Sequence, residues 1–281
     1  MIIGAHLSIA KGMSKAVDQA RGIDGNAFQF FTRNPRGGKA RAIPRAEMEE
    51  FRQRRLLDGV KCVVGHMPYT INLATNRPDI HEFGKMTLLA DLERFNEAGV
   101  EYLVLHPGSH LGDGGRAGIE RIIDALTYVL SRYQGENTLL LLETMAGQGT
   151  EIGGDLWEIK EIFVGLGWPQ NMGICLDSCH LFAAGHDLTQ TAGIDHLVDE
   201  LDRSLGLDRV KMMHLNDSKK GLGSGADRHA KIGQGVLGVE GIGKIVNHPA
   251  LRDLPFILET PVADYQEYAE EIRLVRQLRT A

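Results

Sequence analysis

Six apolar runs of strand length each stop on a residue able to bind a metal ion, and they recur at intervals of 34 to 45 residues. Val60–Gly65 is followed by His66, Tyr102–Leu105 by His106, and Thr138–Leu142 by Glu143. Met172–Leu176 is followed by Asp177, Val210–Met213 by His214, and Phe256–Leu258 by Glu259. Three imidazoles and three carboxylates brought together make a multinuclear metal site, suited to activating water and stabilising anionic charge. Two further groups extend the set. The loop Asp177-Ser178-Cys179-His180 places a second imidazole just past the Asp177 carboxylate. Asp227-Arg228-His229 lies in a stretch containing Gly221, Gly223, Gly225, Gly233 and Gly235, where small residues let backbone approach a metal or a phosphate closely. An isolated Asp-x-His is more often structural; with His180 it completes a third set of three ligands. In His106-Pro107-Gly108-Ser109-His110 the Pro-Gly turn carries His110 away from His106, so His110 is expected to support a ligand or contact substrate.

Ligands so far apart in sequence need an architecture that collects them. In a (β/α)8 TIM barrel the C-terminal ends of all strands meet on one face. Eight βα units can be read along the chain. Strands are expected at Ile2–Leu7, Ala27–Phe31, and in the six runs above, the fifth covering Thr138–Glu143. Helices are expected near Met13–Ala20, Glu47–Leu57, Ile80–Ala98, Leu156–Val164, Ile194–Leu205, Val239–Val246 and Tyr265–Leu278. Within the third, Met86, Leu89, Leu92 and Phe95 repeat at i, i+3. After the fourth strand, Ile119, Ile122, Ile123, Leu126, Val129 and Leu130 form one apolar stripe, with Gly135 as a stop soon after. Strands three to seven are largely apolar, as parallel strands buried on both faces should be. The fold class is therefore α/β, a TIM barrel with its active site at the C-terminal face, in one domain over residues 1–281.

Composition agrees. The chain has 281 residues, close to the ~250 typical of such barrels. Its 43% apolar content is ordinary for a chain that buries a core. No apolar stretch is long enough to span a membrane, and the start reads as a strand with no secretory signal. Three cysteines (Cys62, Cys175, Cys179) make no disulfide framework. A cytoplasmic protein and a monomer are expected. The net charge of −6 argues at first against a nucleic-acid partner. However, residues Gly25 to Ala46 contain no acid, while Arg33, Arg36, Lys39, Arg41 and Arg45 crowd together after the second strand, on the rim of the proposed metals.

These residues carry a resemblance to endonuclease IV, the zinc-dependent apurinic/apyrimidinic (AP) endonuclease family 2. The matching motifs are His66-Met67-Pro68-Tyr69-Thr70-Ile71-Asn72-Leu73-Ala74, His106-Pro107-Gly108-Ser109-His110 and Leu142-Glu143-Thr144. They continue with Gly173-Ile174-Cys175-Leu176-Asp177-Ser178-Cys179-His180, His214-Leu215-Asn216-Asp217-Ser218, Asp227-Arg228-His229 and Leu258-Glu259-Thr260, in order over essentially the whole chain. The resemblance implies three Zn²⁺ per chain. One ion takes His66, His106 and Glu143; the second shares Glu143 as a bridge and adds Asp177, His214 and Glu259; the third takes His180, Asp227 and His229. Mn²⁺ or Fe²⁺ at one position is compatible with the same ligand types. Three divalent ions would also bring the net charge to about zero.

The implied reaction is hydrolysis of the phosphodiester 5′ to an abasic site in double-stranded DNA, leaving a 3′-hydroxyl. A hydroxide held between metals is the nucleophile, and no side chain takes that part. Removal of 3′-blocking groups is implied as a secondary activity. For damage recognition the resemblance points to Arg36 and Tyr69 as side chains that wedge into the base stack, with Arg33 and His110 also on the DNA-binding rim. The chain departs from the family beside Arg36, where Gly37-Gly38 replaces a common Gln-Trp.

The rival reading is a xylose-isomerase-like sugar isomerase or epimerase, which uses one or two metals on the same barrel. The third ligand set, the basic segment and the Arg36/Tyr69 pair count against it. A non-catalytic damage-binding protein would not need all nine ligand positions filled. Cys175 and Cys179 are read as structural, as is His186. His81, His196 and His248 are read as surface or packing residues, and Trp157 and Trp168 as core. His6, at the end of the first strand, is open between pocket and core.

Overall fold

A computed structural model describes residues 1–34 and 40–280. Among these, eight parallel strands close into a barrel in sequence order: β1 (Ile3–His6), β2 (Ala27–Phe31), β3 (Cys62–His66), β4 (Tyr102–Leu105), β5 (Leu139–Glu143), β6 (Met172–Asp177), β7 (Val210–His214) and β8 (Phe256–Leu258). Outside them lie α1 (Met13–Gly22), α2 (Arg45–Leu57), α3 (Pro78–Ala98), α4 (Gly115–Arg132), α5 (Leu156–Gly165), α6 (Ser178–Ala184), α7 (Thr191–Ser204), α8 (Gly238–Asn247) and α9 (Tyr268–Leu278). The expected (β/α)8 architecture is present, with ends displaced by one to three residues.

Local chemistry explains several boundaries. Pro78 opens α3, where its missing N–H costs nothing, and Gly99 closes it in the left-handed region at φ 74°. Asp155 caps α5 by accepting from Trp157 N at 2.8 Å. Gly4 permits β1 to touch β2, because a Cβ there would lie 1.7 Å from Ala27 O.

Strand alternation divides the interior into two cores. Phe28 and Phe30 of β2 point outward and meet Phe51 of α2 and Phe95 of α3, with ring centroids 6.3 and 5.1 Å apart. Their neighbours point inward. Ala27, Cys62, Val64, Val104, Leu141, Cys175, Met212 and Ile257 form a separate apolar cluster that plugs the barrel. Continuing the period of two from Val64, Leu141, Cys175, Met212 and Ile257 reaches His66, Glu143, Asp177, His214 and Glu259. The metal-binding residue types are thus the last inward position of their strands, stacked on an apolar floor. A register shift in β6 against β7, between Ile174 and Cys175, sets Asp177 opposite His214.

Three expectations need correction. Met86 is not on the buried face of α3 but 46% exposed; Leu92 and Phe95 of the same run are buried as expected, with Leu88 beside them. An i, i+3 run loses about 60° per step on a helix of 3.6 residues per turn, so Met86 and Phe95 end about 180° apart. Trp157 is 56% exposed, because the buried face of α5 is Leu156, Ile159, Ile162 and Phe163. Trp168 does pack inward, stacked on Phe163 at 5.5 Å. Finally, residues after Asp177 are not loop: α6 starts at once, with Asp177 as its N-cap accepting from His180 N at 2.9 Å. The apolar-periodic signal of a seven-residue helix is too short to read.

Candidate metal centre

All nine expected ligands converge at the C-terminal mouth of the barrel. Three of the sets whose donor atoms lie within 4.8 Å of one another are those expected: His66, His106 and Glu143; Glu143, Asp177, His214 and Glu259; and His180, Asp227 and His229. Two further sets cross them, His66 with His214 and Glu259, and Asp177 with Cys179 and His229. Glu143 spans the first two expected sets. Its Oε2 faces His66 Nε2 at 3.0 Å and His106 Nε2 at 3.2 Å, while Oε1 faces His214 Nδ1 at 3.0 Å. Glu143, Asp177 and His214 are fully buried, whereas Asp227 is 36% exposed in its side chain. The cluster therefore has a dry base and an open rim. A cavity of about 280 Å³ lies above it, walled by His6, Phe31, Tyr69 and Tyr268 besides the ligands.

Backbone carbonyls orient the imidazoles. His66 Nδ1 donates to Met67 O (2.6 Å), His180 Nδ1 to Thr144 O (2.8 Å), and His229 Nδ1 to Glu259 O (3.2 Å). Each bond leaves Nε2 as the free donor atom toward the cluster, the usual arrangement behind a metal-bound histidine. Asn216 ties two carboxylate positions together: its Nδ2 donates to Asp177 Oδ2 (2.7 Å) and its Oδ1 accepts from Glu259 N (2.9 Å).

The donor set fits metal ions on two observations. The Nε2 atoms of His180 and His229 are buried with no hydrogen-bond partner, although Asp227 Oδ1 lies 3.3 and 3.2 Å away. An orphaned buried nitrogen is costly unless a bound group satisfies it. The electrostatics say the same. Burial alone would push the His214 imidazolium down, but Cys175 and the Glu259 and Glu143 carboxylates override it, and its pKa is raised well above the ordinary value. His180 is raised well above it too, burial being overcome by Asp177, Asp227 and Glu143. Glu143 is held well below the usual carboxylate range, since His214 and His106 outweigh its burial. Four carboxylates among five imidazoles thus attract positive charge strongly, and bound cations supply it while displacing the protons.

The loop bearing the third group hangs on a residue that sequence reading placed only within a motif. Asp217 is buried and accepts from the backbone N–H of Ser218 (2.8 Å), Gly233 (3.0 Å), Gly235 (3.0 Å), Leu237 (3.0 Å) and Gly238 (3.2 Å). Gly235 is required there, because a Cβ would lie 2.3 Å from Asp217 Oδ1. A two-residue ribbon, Asp217–Ser218 against His229–Ala230, carries this anchoring to the ligands. Asp217→Asn is expected to lose about 1.5–3 kcal/mol for each charge-assisted bond that fails. A lowered melting temperature and faster proteolysis between Lys219 and Asp227 would show it; an unchanged melting curve would refute it.

The remaining expected residues are placed as follows. Tyr69 stands at the cavity mouth, 60% exposed. Arg33 is held by a two-bond pair to Asp91 (3.0 and 2.8 Å), a carboxylate shared with Arg94. His110 Nδ1 accepts from Gly112 N (3.2 Å) and Gly114 N (3.0 Å), beyond a ribbon that pairs Gly108–Ser109 with Glu151–Ile152. Arg36, with Gly37, Gly38 and Lys39, lies outside the described residues. Elsewhere in that basic segment Arg41 pairs with Glu47 and Arg45 with Glu49, acids beyond its end. His6 lines the cavity, with its Nδ1 3.4 Å from Glu259 Oε1. Cys175 and Cys179 are buried free thiols, both pushed up to about 11 by burial. Gln29 was not foreseen; a polar residue midway in the run Ala27–Phe31 was the available signal.

Fold and site together define the xylose isomerase-like TIM barrel class, whose family model matches residues 17–278. Within that class the chain is 50% identical to the probable endonuclease 4 of Moorella thermoacetica, over the full length of both. The crystal structure of endonuclease IV from Thermus thermophilus superposes with a TM-score of 0.85 at 37% identity, covering 99% of this chain and 98% of that one. The chain belongs to the endonuclease IV family, AP endonuclease family 2. The 3-keto-D-glucoside 4-epimerase YcjR of E. coli (TM-score 0.69, 13% identity, 99% of each chain) shares the fold alone.

Proposed function

We propose that this protein is a metal-dependent DNA repair nuclease that hydrolyses the phosphodiester 5′ to abasic sites in duplex DNA, leaving a 3′-hydroxyl, with three Zn²⁺ held by the nine converging ligands. The observation that carries the reading is the three-group cluster under one open cavity, with Glu143 facing two groups through its two oxygens. Mixed imidazole and carboxylate donors suit zinc. When bound, such ions supply an activated water and positive charge for the phosphoryl and leaving oxygens. The chain's own residues hold and orient. Glu143 keeps the first two groups in fixed relation, and the third group, whose Asp227 is the most open of the nine ligands, is where a phosphate would enter.

Selection of damage follows from a different set. An abasic nucleotide lacks stacking and pairing, so extruding it costs less than extruding an intact one. The cavity above the cluster would take the sugar-phosphate, and Tyr69, exposed at its mouth, would fill the gap left in the stack. Arg36 is its proposed companion, and Arg33 and His110 complete the rim. Action on 3′-blocked ends would use the same cluster. We assign this function to one domain spanning the chain, acting as a monomer in the cytoplasm; no helix among the described residues is long and apolar enough to cross a membrane.

The test is metal analysis joined to an incision assay. About three zinc ions per chain, and incision of an abasic duplex that is lost on chelation and restored by zinc, are expected. One ion per chain, or isomerisation of a free sugar without DNA cutting, would favour the epimerase-type reading instead.

A further inference from the structure

Gln29 is fully buried at an inward position of β2, where its neighbours in the barrel plug are Ala27 and Val64. A buried amide is unfavourable unless each polar atom is met, and an apolar side chain would fill that space as Val64 does. Its amide instead reaches into the metal centre. Nε2 donates to Glu259 Oε1 at 2.5 Å and lies 3.1 Å from His6 Nδ1, while Oε1 is 2.8 Å from His214 Nε2.

These contacts fix which way the Gln29 amide faces and which His214 nitrogen must carry a hydrogen. The Glu259 carboxylate only accepts, so the amide NH₂ must face it. The amide oxygen then faces His214, whose Nε2 must carry the hydrogen it donates. In the neutral imidazole, the form that can ligate a metal ion, the lone pair is then on Nδ1, the atom 3.0 Å from Glu143 Oε1 and 3.3 Å from Glu259 Oε2. His214 differs in this from His66, His180 and His229, whose Nδ1 atoms donate to carbonyls and whose Nε2 atoms face the cluster. For His214 the partner is not a backbone carbonyl but a side chain from β2, on the far side of β1 and β8.

We infer that Gln29 is a positioning residue of the metal centre, fixing the Nδ1-ligating tautomer of His214 and its spacing to Glu259, and so the hold on the ion of the buried group. This rests on the reading that the cluster is loaded with metal. Gln29 is itself outside the cavity lining, meets it at His6 and Glu259, and contacts none of the rim residues proposed to meet DNA, so its effect falls on ion retention.

Two measurements test it. In native protein labelled with ¹⁵N-histidine and loaded with zinc, His214 is expected to show a protonated, hydrogen-bonded Nε2 and a zinc-coordinated Nδ1, unlike His66, His180 and His229. In Gln29→Met, which keeps the volume and removes the hydrogen bonds, affinity for one ion of the set should fall by about 10–100-fold. That loss would be read as faster zinc release to a chromophoric chelator, with circular dichroism and the melting of the metal-free form unchanged. Native His214 ligating through Nε2, or a folded variant that releases zinc at the native rate, would overturn the role of Gln29. Should the variant not fold, the spectrum of the native protein decides alone. Native protein that binds no zinc would instead remove the metal reading itself.

Discussion

Glu143→Gln is expected to abolish most turnover on abasic duplex, by about 10²–10³-fold at least if only one charge-stabilising contact were lost, and by more because two groups share the residue. The carboxylate offers one oxygen to His66 and His106 and the other to His214. A glutamine keeps the shape but presents one oxygen and one NH₂. The NH₂ cannot ligate, so one of the two groups loses a donor whichever way the amide turns. Burial is complete here, so solvent does not replace the missing charge. Metal analysis should show fewer ions per chain, and single-turnover incision should collapse while binding of abasic duplex persists, since Tyr69 and the rim are untouched. Near-native incision would take Glu143 out of the site.

Arg36→Ala combined with Tyr69→Ala is expected to weaken abasic-duplex incision by about a hundredfold or more, the equivalent of roughly 2.7 kcal/mol. Each wedge offsets unstacking that costs a few kcal/mol. Neither residue is a metal ligand, and Tyr69 touches the cavity from an exposed position at its mouth. Metal content and folding should stay as they are, and a small phosphodiester that needs no extrusion should be cut at the native rate. Gly37-Gly38 removes bulk beside Arg36, so Tyr69→Ala alone should account for the larger share. Equal loss on both substrates would show that the pair supports the metal site and not the DNA.

The two outcomes separate chemistry from recognition because the fold separates them. Ligands occupy the last inward position of rigid strands, or the helix α6, the ribbon and the turns just above, whereas Tyr69 rides on a connection after β3. Strand-borne groups are held closely enough for ion geometry. Loop-borne groups at the mouth can meet a bulky duplex.

Much of this is legible in the amino-acid sequence. An apolar run that ends on His, Asp or Glu marks a strand leaving the core, and six such endings at barrel spacing indicate one rim. Period two then requires that the residue two before each ligand also face inward, which Val64, Leu141, Cys175, Met212 and Ile257 do. His180, Asp227 and His229 were likewise legible as ligand types, although the helix that holds His180 was not. Met86 and Trp157 lie off the buried faces because a single apolar residue, unlike the i, i+3, i+4 stripe of α4, does not fix which side of a helix meets the barrel. That side is settled by the helix's rotation against its neighbours.

The sequence by itself determined the barrel, the ligand types and the rim on which they meet, because strand alternation and chain order are local properties repeated eight times. Only the tertiary structure decided which atom of each ligand faces the cluster and which side chains stand behind them. Glu143 facing two groups, Asp217 holding five amides and Gln29 reaching His214 and Glu259 are contacts between segments up to 230 residues apart. Such contacts depend on barrel closure, strand register and side-chain direction, which no local pattern encodes. The sequence names the donors; closure of the barrel chooses their partners.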